Sequence, residues 1–331
     1  SSQLTRTSQA SLGAFLNTQN DAKAKADQSQ REPCLRSRIS EDAAQSYTAI
    51  FAALFAYFAC LAGSASESLR LSMNILEQFS LKDKVVVLTG GAGLYGRQLT
   101  AALAEAGARL VIAARDQARL HEIARAHNQR GFSVTCEMLD QGDERSVLAL
   151  RDKVLDQFGR LDGLVNNAVS RPMTSLDAPV SAWGESLRVN ATGVFLMTRA
   201  FGQAMAARRG GSIVNIGSMM GVVGPSPEFY EGTGMGTPAP DYFFHKAGMI
   251  NLTRYFASVL GLRDVRVNCI SPGGFFNHQP EPFLQRYNRR TMLGRMAGET
   301  DLGGAVVFLL GDASRYITGI NLPVDGGYTA K

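Results

Sequence analysis

The sequence has few of the residues that build metal centres and disulfide frameworks. Only four cysteines and four histidines occur among 331 residues, and no cluster of them has metal-ligand spacing. The cysteines, Cys34, Cys60, Cys136 and Cys269, show no disulfide framework either, which fits a reducing, cytoplasmic location. A net charge of +5 without a basic run among aromatics argues against a nucleic-acid surface. We therefore expect no metal and no nucleic-acid partner.

One long apolar run lies near the start of the chain. Residues 49–63 are short for a membrane span but within the length of a signal core. The polar leader before them is too long for an ordinary signal peptide, and no methionine precedes Met73. We interpret residues 1–72 as a mostly disordered or helical extension, which is upstream translated sequence or unrelated to the natural protein, and residues 73–331 as the functional domain. The competing interpretation, a membrane anchor, predicts detergent-dependent solubility.

From Leu81 onward, short apolar runs alternate with longer helical patterns. Runs such as residues 109–114 and 265–270 alternate with segments such as 116–130 and 182–207. Continuous apolar strands suit a parallel sheet that is covered on both faces. The pattern therefore predicts a single α/β domain with a Rossmann-type doubly wound parallel sheet, in which ligands bind at the carboxyl ends of the strands.

A glycine-rich turn follows the first of these runs. The apolar residues 85–88 lead into the segment TGGAGLYG at residues 89–96, and a helical pattern continues to Ala106. In that position, backbone N–H groups at a helix N-terminus favour a pyrophosphate. The context of strand, turn and helix gives the motif more weight than glycines alone.

A tyrosine and a lysine lie four residues apart further along the chain. Tyr242 and Lys246 share one face if the segment is helical, and the ammonium group then favours the ionised phenol. A phenol whose pKa is lowered can act as a general acid and base. His245, between them, is expected to face packing or solvent.

These motifs together resemble the short-chain dehydrogenase/reductase family, over about residues 81–328. The resemblance rests on Thr89, Gly90 and Gly96, Asn166-Asn167-Ala168, Asn190, Ser218, Tyr242, Lys246 and Pro272-Gly273. One departure is Leu94, which stands where the family usually has its middle glycine, and we expect Gly93 to supply the flexibility instead.

The resemblance implies a role for each of these residues. Tyr242 exchanges a proton with the substrate oxygen, Ser218 holds that oxygen, Lys246 lowers the Tyr242 pKa and binds the nicotinamide ribose, and Asn190 positions a water. Asn167 is expected to tie strands together. The implied catalytic residues are Asn190, Ser218, Tyr242 and Lys246. The implied cofactor-binding residues are Thr89, Gly90, Gly93, Leu94, Gly96, Arg115, Asp140, Asn166, Ala168, Tyr242, Lys246, Pro272 and Gly273.

The choice between NADP and NAD depends on the end of the second strand. Ala114 lacks the acid that would hold a ribose 2′-hydroxyl, and the Arg115 guanidinium suits a 2′-phosphate. Asp116 could pair with Arg115 and weaken that preference. We expect NADP, with NAD as the alternative, and the resemblance places Asp140 against the adenine.

Two segments bear on the substrate. Residues 221–240 form an insertion between Ser218 and Tyr242 that is expected to shape substrate access, with a tolerated surface insertion as the alternative. Residues 274–296, the lid region, carry Arg286, Arg289, Arg290 and Arg295, which favour an anionic ligand or else form a solvated face or a subunit contact.

Within the family, the chain looks like a gluconate 5-dehydrogenase-like subgroup of sugar and flagellin-glycan oxidoreductases. We expect an NAD(P)-dependent enzyme that interconverts a secondary alcohol and a ketone on a sugar acid, polyol or related carbohydrate. A 3-oxoacyl thioester reductase is the nearest alternative, and a non-catalytic dinucleotide sensor or scaffold is an alternative of another class. Residues 319–327 resemble the family's tetramer-forming C-terminus, so we expect a homo-oligomer, a dimer or a tetramer, with no membrane partner.

Overall fold

Seven parallel strands form the single sheet of this domain. The computed structural model describes residues 74–208 and 210–331. The predicted extension at residues 1–72 and its apolar run lie outside that part of the chain. The strand order is β3-β2-β1-β4-β5-β6-β7. The strands are β1 (Val85–Thr89), β2 (Arg109–Ala114), β3 (Val134–Met138), β4 (Gly163–Asn166), β5 (Gly211–Ile216), β6 (Val265–Pro272) and β7 (Asn321–Val324).

Helices cover both faces of the sheet. They are α1 (Leu94–Glu105), α2 (Gln117–Gln129), α3 (Glu144–Phe158), α4 (Val180–Leu187), α5 (Gly193–Ala207), α6 (Pro240–Leu260), α7 (Glu281–Arg290) and α8 (Gly303–Leu310). Each crossover from one parallel strand to the next needs such a connection, because a tight turn cannot join parallel neighbours. The predicted doubly wound α/β fold is confirmed.

The side chains of the apolar strands pack into two hydrophobic cores, one on each face of the sheet. All five residues of β1 are buried, and they alternate between the layers. Val85 and Val87 belong to a cluster that includes residues of α3, α5 and α6. Val86 and Leu88 belong to a second cluster with residues of α1, α2 and α8. Burial on both faces therefore explains why the strand lacks polar residues at alternate positions.

The strand order reverses at β1. This strand pairs with β2 on one side and β4 on the other, so the chain crosses from β3 to the opposite side of β1. The loops after β1 and β4 diverge at that point and leave a crevice at the carboxyl edge of the sheet. The predicted motifs after β1, β4, β5 and β6 all lie at this edge.

The helical region predicted at residues 182–207 is interrupted. A π-helical turn, Arg188–Thr192, separates α4 from α5. Such turns are rare and frequently occur at functional sites. Asn190 lies in this turn and is buried.

The described helices and titratable side chains were compared with what a membrane span and a metal site require. Within residues 74–208 and 210–331, none of the helices combines the length and the apolar character needed to cross a bilayer. In the same ranges, no group of three or more His, Cys, Asp or Glu side chains is arranged to hold a metal ion. Cys136 and Cys269 are free thiols.

Candidate active site

The glycine turn after β1 is shaped by close backbone packing. Gly90 has a φ of +70°, and a Cβ there would lie 2.8 Å from the Cα of Ala168. A Cβ at Gly96 would lie 2.0 Å from the carbonyl oxygen of Gly90. Both positions therefore require glycine. Gly93 has a φ of −71° and a ψ of 177°, which any residue can adopt, so the predicted need for flexibility there is wrong.

The N-terminus of α1 is open for an anion. Its N-cap residue, Gly93, offers no side-chain hydrogen bond, and the first turn contains no acidic residue. By contrast, Asp116 caps α2 and Asp143 caps α3. Free N–H groups at a helix N-terminus suit a phosphate. The turn and α1 therefore fit the pyrophosphate of a dinucleotide, and Leu94, at the first helical position, leaves that edge accessible.

Three predicted site residues support the crevice from outside its wall. The Thr89 hydroxyl accepts hydrogen bonds from the backbone N–H of Asn167 at 3.1 Å and of Ala168 at 2.9 Å. The Asn166 amide donates to Asn215 at 2.8 Å and to Thr198 at 3.0 Å. The Thr89 and Asn166 side chains thus bridge neighbouring elements and do not line the cavity.

Asn190 is the third of these residues. Its amide oxygen accepts from the N–H of Ser170 at 2.8 Å, and its amide nitrogen donates to the Ser170 carbonyl at 2.7 Å. The same nitrogen donates to the Ser186 hydroxyl at 3.0 Å. Asn190 therefore fixes the loop after β4, and its side chain is occupied by protein groups.

Asn167 holds the glycine turn in place, as predicted for a structural residue. Its side-chain nitrogen donates to the carbonyl oxygens of Thr89 at 3.0 Å and Gly90 at 3.1 Å. The end of β4 is thereby tied to the end of β1.

Helix α6 carries Tyr242 and Lys246 on one face. The helix begins with Pro240, a residue that suits the first helical position. Further along, Asn215 of β5 donates to Thr253 of α6 at 2.9 Å, which fixes the helix against the sheet. The buried Lys246 donates from Nζ to the Ile216 carbonyl at 2.6 Å and lies 5.7 Å from the centre of the Tyr242 ring.

The Tyr242 phenol has an altered acidity. Burial on its own would raise its pKa, but the charges of Lys246 and Arg171, with hydrogen bonds from Ser218 and Arg171, outweigh burial. The net pKa of Tyr242 therefore lies below its usual value. Burial lowers the pKa of Lys246, and Tyr242 opposes that shift. A phenol with a lowered pKa beside a serine hydroxyl can exchange a proton with a bound oxygen.

Ser218 ends the strand region after β5. It is buried, and its hydroxyl accepts a hydrogen bond from the N–H of Met220 at 3.1 Å. That bond fixes the serine at the start of the short helical turn Met219–Gly221. His245 packs edge-on against Tyr242, is 3% exposed, and burial lowers its pKa to about 3. It is therefore a neutral packing residue.

The residues after β2 lie at the far end of the cavity. Arg115 is exposed and lines the cavity with Arg119. The Asp116 carboxylate accepts from the N–H of Arg119 at 3.1 Å, so it serves as a helix cap. Arg115 forms no ion pair within the described ranges. Asp140 lines the same end, and Arg188 approaches its carboxylate to 3.3 Å.

Two tyrosines hold the segment after β6. The Tyr95 hydroxyl donates to the Gly273 carbonyl at 2.8 Å, and the N–H of Gly274 donates to the Tyr287 hydroxyl at 2.5 Å. Pro272 and Gly273 thereby form one wall of the cavity.

The insertion and the lid close the substrate end of the cavity. Phe229 and Tyr230 of the insertion pack against Phe283 of α7. Arg286 of α7 donates to the carbonyl oxygens of Glu228 at 2.8 Å and Glu231 at 2.6 Å. The insertion is therefore part of the cavity wall and is fastened to the lid.

The lid arginines do not line the cavity, so of the alternatives that the sequence left open the structure does not favour the anionic ligand. Arg286 is bound to the insertion, and Arg295 pairs with Asp301 at 2.6 Å. The Arg290 guanidinium lies 5.5 Å from the centre of the Tyr328 ring. Arg289 borders a separate, shallow hollow with its neighbours. The directions of these side chains depend on tertiary contacts, which sequence spacing does not reveal.

One cavity of about 1070 Å³ joins these regions. Of the predicted site residues it brings together Gly90, Gly93, Leu94, Gly96, Arg115, Asp140, Ala168, Ser218, Tyr242, Lys246, Pro272 and Gly273. Sequence reasoning missed Arg171, whose guanidinium lies 4.8 Å from the centre of the Tyr242 ring. It also missed Asp241, a buried carboxylate in the cavity wall that accepts from the Ser186 hydroxyl at 2.5 Å. The position of Arg171, just past the end of β4, was the available signal.

The chain is similar in sequence to a known family of reductases and to individual dehydrogenases. Residues 93–329 match the family model described as enoyl-(acyl carrier protein) reductase. The chain is 34% identical over 255 residues to cis-4-hydroxycyclohexanecarboxylate dehydrogenase of Sinomonas cyclohexanicum, covering 75% of this chain and 97% of that protein. It is 31% identical over 259 residues to galactitol 2-dehydrogenase (L-tagatose-forming) of Cereibacter sphaeroides, covering 76% and 97%.

A solved structure is similar over the same region. The gluconate 5-dehydrogenase of Burkholderia cenocepacia J2315, in complex with NADP and tartrate, has a TM-score of 0.71 at 29% identity. The match covers 78% of this chain and 100% of that one.

The doubly wound sheet, the glycine turn and the Tyr242 site define a dinucleotide-dependent oxidoreductase. The chain belongs to the short-chain dehydrogenase/reductase family, and it is an NAD(P)-dependent enzyme acting on CH–OH groups. The predicted family and enzyme class are confirmed.

Proposed function

We propose that this enzyme interconverts a secondary alcohol and a ketone on a sugar acid, a polyol or a related carbohydrate. The observation that carries the proposal is the Tyr242 phenol, with Lys246 and Ser218 beside it, in one cavity with the glycine turn. The relatives named for galactitol and gluconate support the substrate class.

The proposed roles are those that the family resemblance implies, and the shared cavity of these side chains supports them. Ser218 donates to the substrate oxygen and holds it beside Tyr242. The Tyr242 phenol gives a proton to that oxygen in reduction and its phenolate takes one in oxidation. Lys246 keeps the Tyr242 pKa low and binds the nicotinamide ribose. When bound, the nicotinamide supplies or accepts the hydride.

Asn190 acts indirectly in this proposal. Its side chain forms hydrogen bonds with Ser170 and Ser186. Asn190 therefore connects the π turn, in which it lies, to the loop that carries Arg171. Thr89 and Asn166 likewise contribute to cofactor binding by holding the turns against which the dinucleotide lies.

We propose NADP as the preferred cofactor, with NAD as the alternative. Arg115 is available for a 2′-phosphate, since the Asp116 carboxylate caps α2. Arg119 adds a second positive charge to the same end of the cavity. The related gluconate 5-dehydrogenase was solved with NADP.

A homo-oligomer and a cytoplasmic location complete the proposal. Helix α6 exposes Phe244, Tyr255 and Val259 at 57%, 60% and 54%, and α5 exposes Phe195. Large apolar side chains grouped on adjacent helices are typical of subunit contacts. Size-exclusion chromatography with light scattering is expected to give the mass of a dimer or a tetramer.

The alternative of a 3-oxoacyl thioester reductase is favoured by a relative, the 3-oxoacyl-(acyl-carrier-protein) reductase of Thermotoga maritima, which is 29% identical over 252 residues. Both reactions use the same tyrosine, so the substrate decides between them.

The test is the absorbance of the reduced nicotinamide with gluconate, sorbitol, galactitol and an oxoacyl thioester, each offered with both cofactors. We expect turnover on a carbohydrate with NADP, and its loss in Tyr242→Phe. Turnover on the thioester alone would replace the proposal with the alternative. Dinucleotide binding without turnover on any substrate would contradict the proposal.

A further inference from the structure

Arg171 is a positive charge at the reaction centre that helps to lower the Tyr242 pKa but has no assigned role toward the substrate. It follows the Asn-Asn-Ala segment at the end of β4, and its backbone loop is fixed by the bonds between Ser170 and Asn190. The side chain lines the cavity over the face of Tyr242, at 4.8 Å from the ring centre. It is therefore held at the substrate end of the cavity.

The charge of Arg171 is not neutralised by a neighbouring acid. Within residues 74–208 and 210–331 it forms no ion pair with a carboxylate. Asp241 also lines the cavity, but its Oδ2 accepts from Ser186. The charge of Arg171 lowers the pKa of Lys246 in addition to the effect of burial, so the two cations near the Tyr242 ring repel each other. An anion bound in the cavity would relieve that repulsion.

Much of the cavity wall at the insertion and the lid is apolar. Methionine and aromatic side chains of the β4 loop, the insertion and the lid form it, and the principal ones are Met173, Met219, Phe229, Met235, Phe283 and Met296. The Tyr287 hydroxyl is already committed, because it accepts from the N–H of Gly274 and donates to the Met219 Sδ at 3.6 Å, and Tyr230 stays neutral because burial raises its pKa to about 12. A ligand here meets one charged fork and much apolar surface. That is a setting in which a guanidinium binds a carboxylate with two parallel hydrogen bonds.

We propose that Arg171 determines substrate specificity by binding the carboxylate of a hydroxy acid, whose carbon skeleton packs against the methionine and aromatic wall. The inference deepens the proposed function and rests on it for the reacting oxygen at Tyr242. It selects acids over neutral polyols, and it gives the anion-binding role to the loop after β4 instead of the lid arginines.

Binding and turnover test this role separately. The binding probes are cyclohexanecarboxylate and its neutral counterpart cyclohexanecarboxamide, titrated calorimetrically into the full-length enzyme with saturating NADP. In the wild type the carboxylate is expected to bind at least about tenfold more tightly than the amide, since hydrogen bonds to charged groups are the stronger ones. Arg171→Met is expected to weaken the carboxylate about 10- to 100-fold and the amide by less than about threefold.

Two further variants separate charge recognition from a structural effect. Arg171→Lys keeps the charge but loses the planar fork, so it should recover part of the carboxylate affinity. Arg125→Met, an exposed arginine of α2 outside the cavity, should bind both probes as the wild type does. In turnover, the ratio of kcat/KM for gluconate to that for sorbitol should fall in Arg171→Met, chiefly through the KM for gluconate.

The possible results are distinct. Equal affinity of the wild type for the two probes, or no binding of either, would overturn the inference. Equal weakening of both probes by Arg171→Met would also overturn it, because a purely structural contact would behave in that way. Discrimination by Arg171 in binding without turnover on any alcohol would uphold the inference and refute the proposed reaction.

Discussion

Tyr242→Phe removes one oxygen atom from the centre of the proposed reaction. The ring stays, so the contact with the Arg171 guanidinium and the edge contact with His245 should survive. What is lost is the transferable proton and the hydrogen bonds from Ser218 and Arg171. General acid–base catalysis contributes about 10²- to 10⁴-fold, so kcat should fall by that factor. At about 1.4 kcal/mol per tenfold, the barrier rises by roughly 3 to 5 kcal/mol.

The assay compares kcat with dinucleotide affinity and with pH. Fluorescence titration should give an affinity for the reduced dinucleotide within about threefold of the wild type, because the substitution leaves the glycine turn, Arg115 and Lys246 unchanged. The Tyr242 pKa is lowered, so the wild-type oxidation rate should rise as the pH rises through that lowered pKa, where the phenol becomes the base. The reduction rate should fall over the same range, and the variant should show neither change.

Tyr230→Phe is the matched control. Tyr230 lines the same cavity, but burial raises its pKa to about 12, so it stays protonated at neutral pH. Its loss should cost less than about tenfold, the effect of one neutral hydrogen bond. Wild-type kcat in Tyr242→Phe, or a larger loss in Tyr230→Phe, would refute the assignment of the acid and base.

Four further substitutions test the cofactor site and the packing behind it. In Gly96→Ala the new Cβ would lie 2.0 Å from the Gly90 oxygen, so we expect about 1–3 kcal/mol of lost stability and weak dinucleotide binding, whereas Gly93→Ala, at 3.4 Å, should be tolerated in the same melting and titration experiments. Arg115→Ala should weaken NADP about 10- to 100-fold and leave NAD nearly unchanged, and equal effects on both cofactors would contradict the 2′-phosphate role. Neither ring nitrogen of His245 has a partner in the described part of the chain, so His245→Leu should leave the unfolding free energy unchanged or raise it by about 1 kcal/mol, and a large drop in Tm would count against this reading.

Local patterns in the sequence were enough for the fold and for much of the site. Continuous apolar runs predict buried parallel strands, and the spacing of Tyr242 and Lys246 predicts a shared helix face. These features depend on residues near each other in the chain. The π turn at Arg188–Thr192 was not predictable from local sequence. It contains Asn190, whose hydrogen bonds reach Ser170, 20 residues earlier in the chain.

The directions of side chains on loops were the harder problem. For the lid arginines the sequence left an anionic ligand, a solvated face and a subunit contact open, and Arg286 and Arg295 are satisfied by the insertion and by Asp301. Arg171 faces the reaction centre because Asn190 holds its loop. A count of charges in a segment cannot separate these cases, since the choice depends on tertiary contacts.

The link between Arg286 and the insertion has an evolutionary consequence. Arg286 binds the carbonyl oxygens of Glu228 and Glu231, which are backbone atoms that every residue type presents in the same way. Mutations of the side chains in this segment would therefore leave these two hydrogen bonds intact. The residues at positions 229, 230 and 235 line the cavity, so substitutions there can adapt the cavity to a new substrate while the catalytic residues stay unchanged. A few substitutions in the insertion could therefore change the substrate specificity of the enzyme without changing its catalytic mechanism.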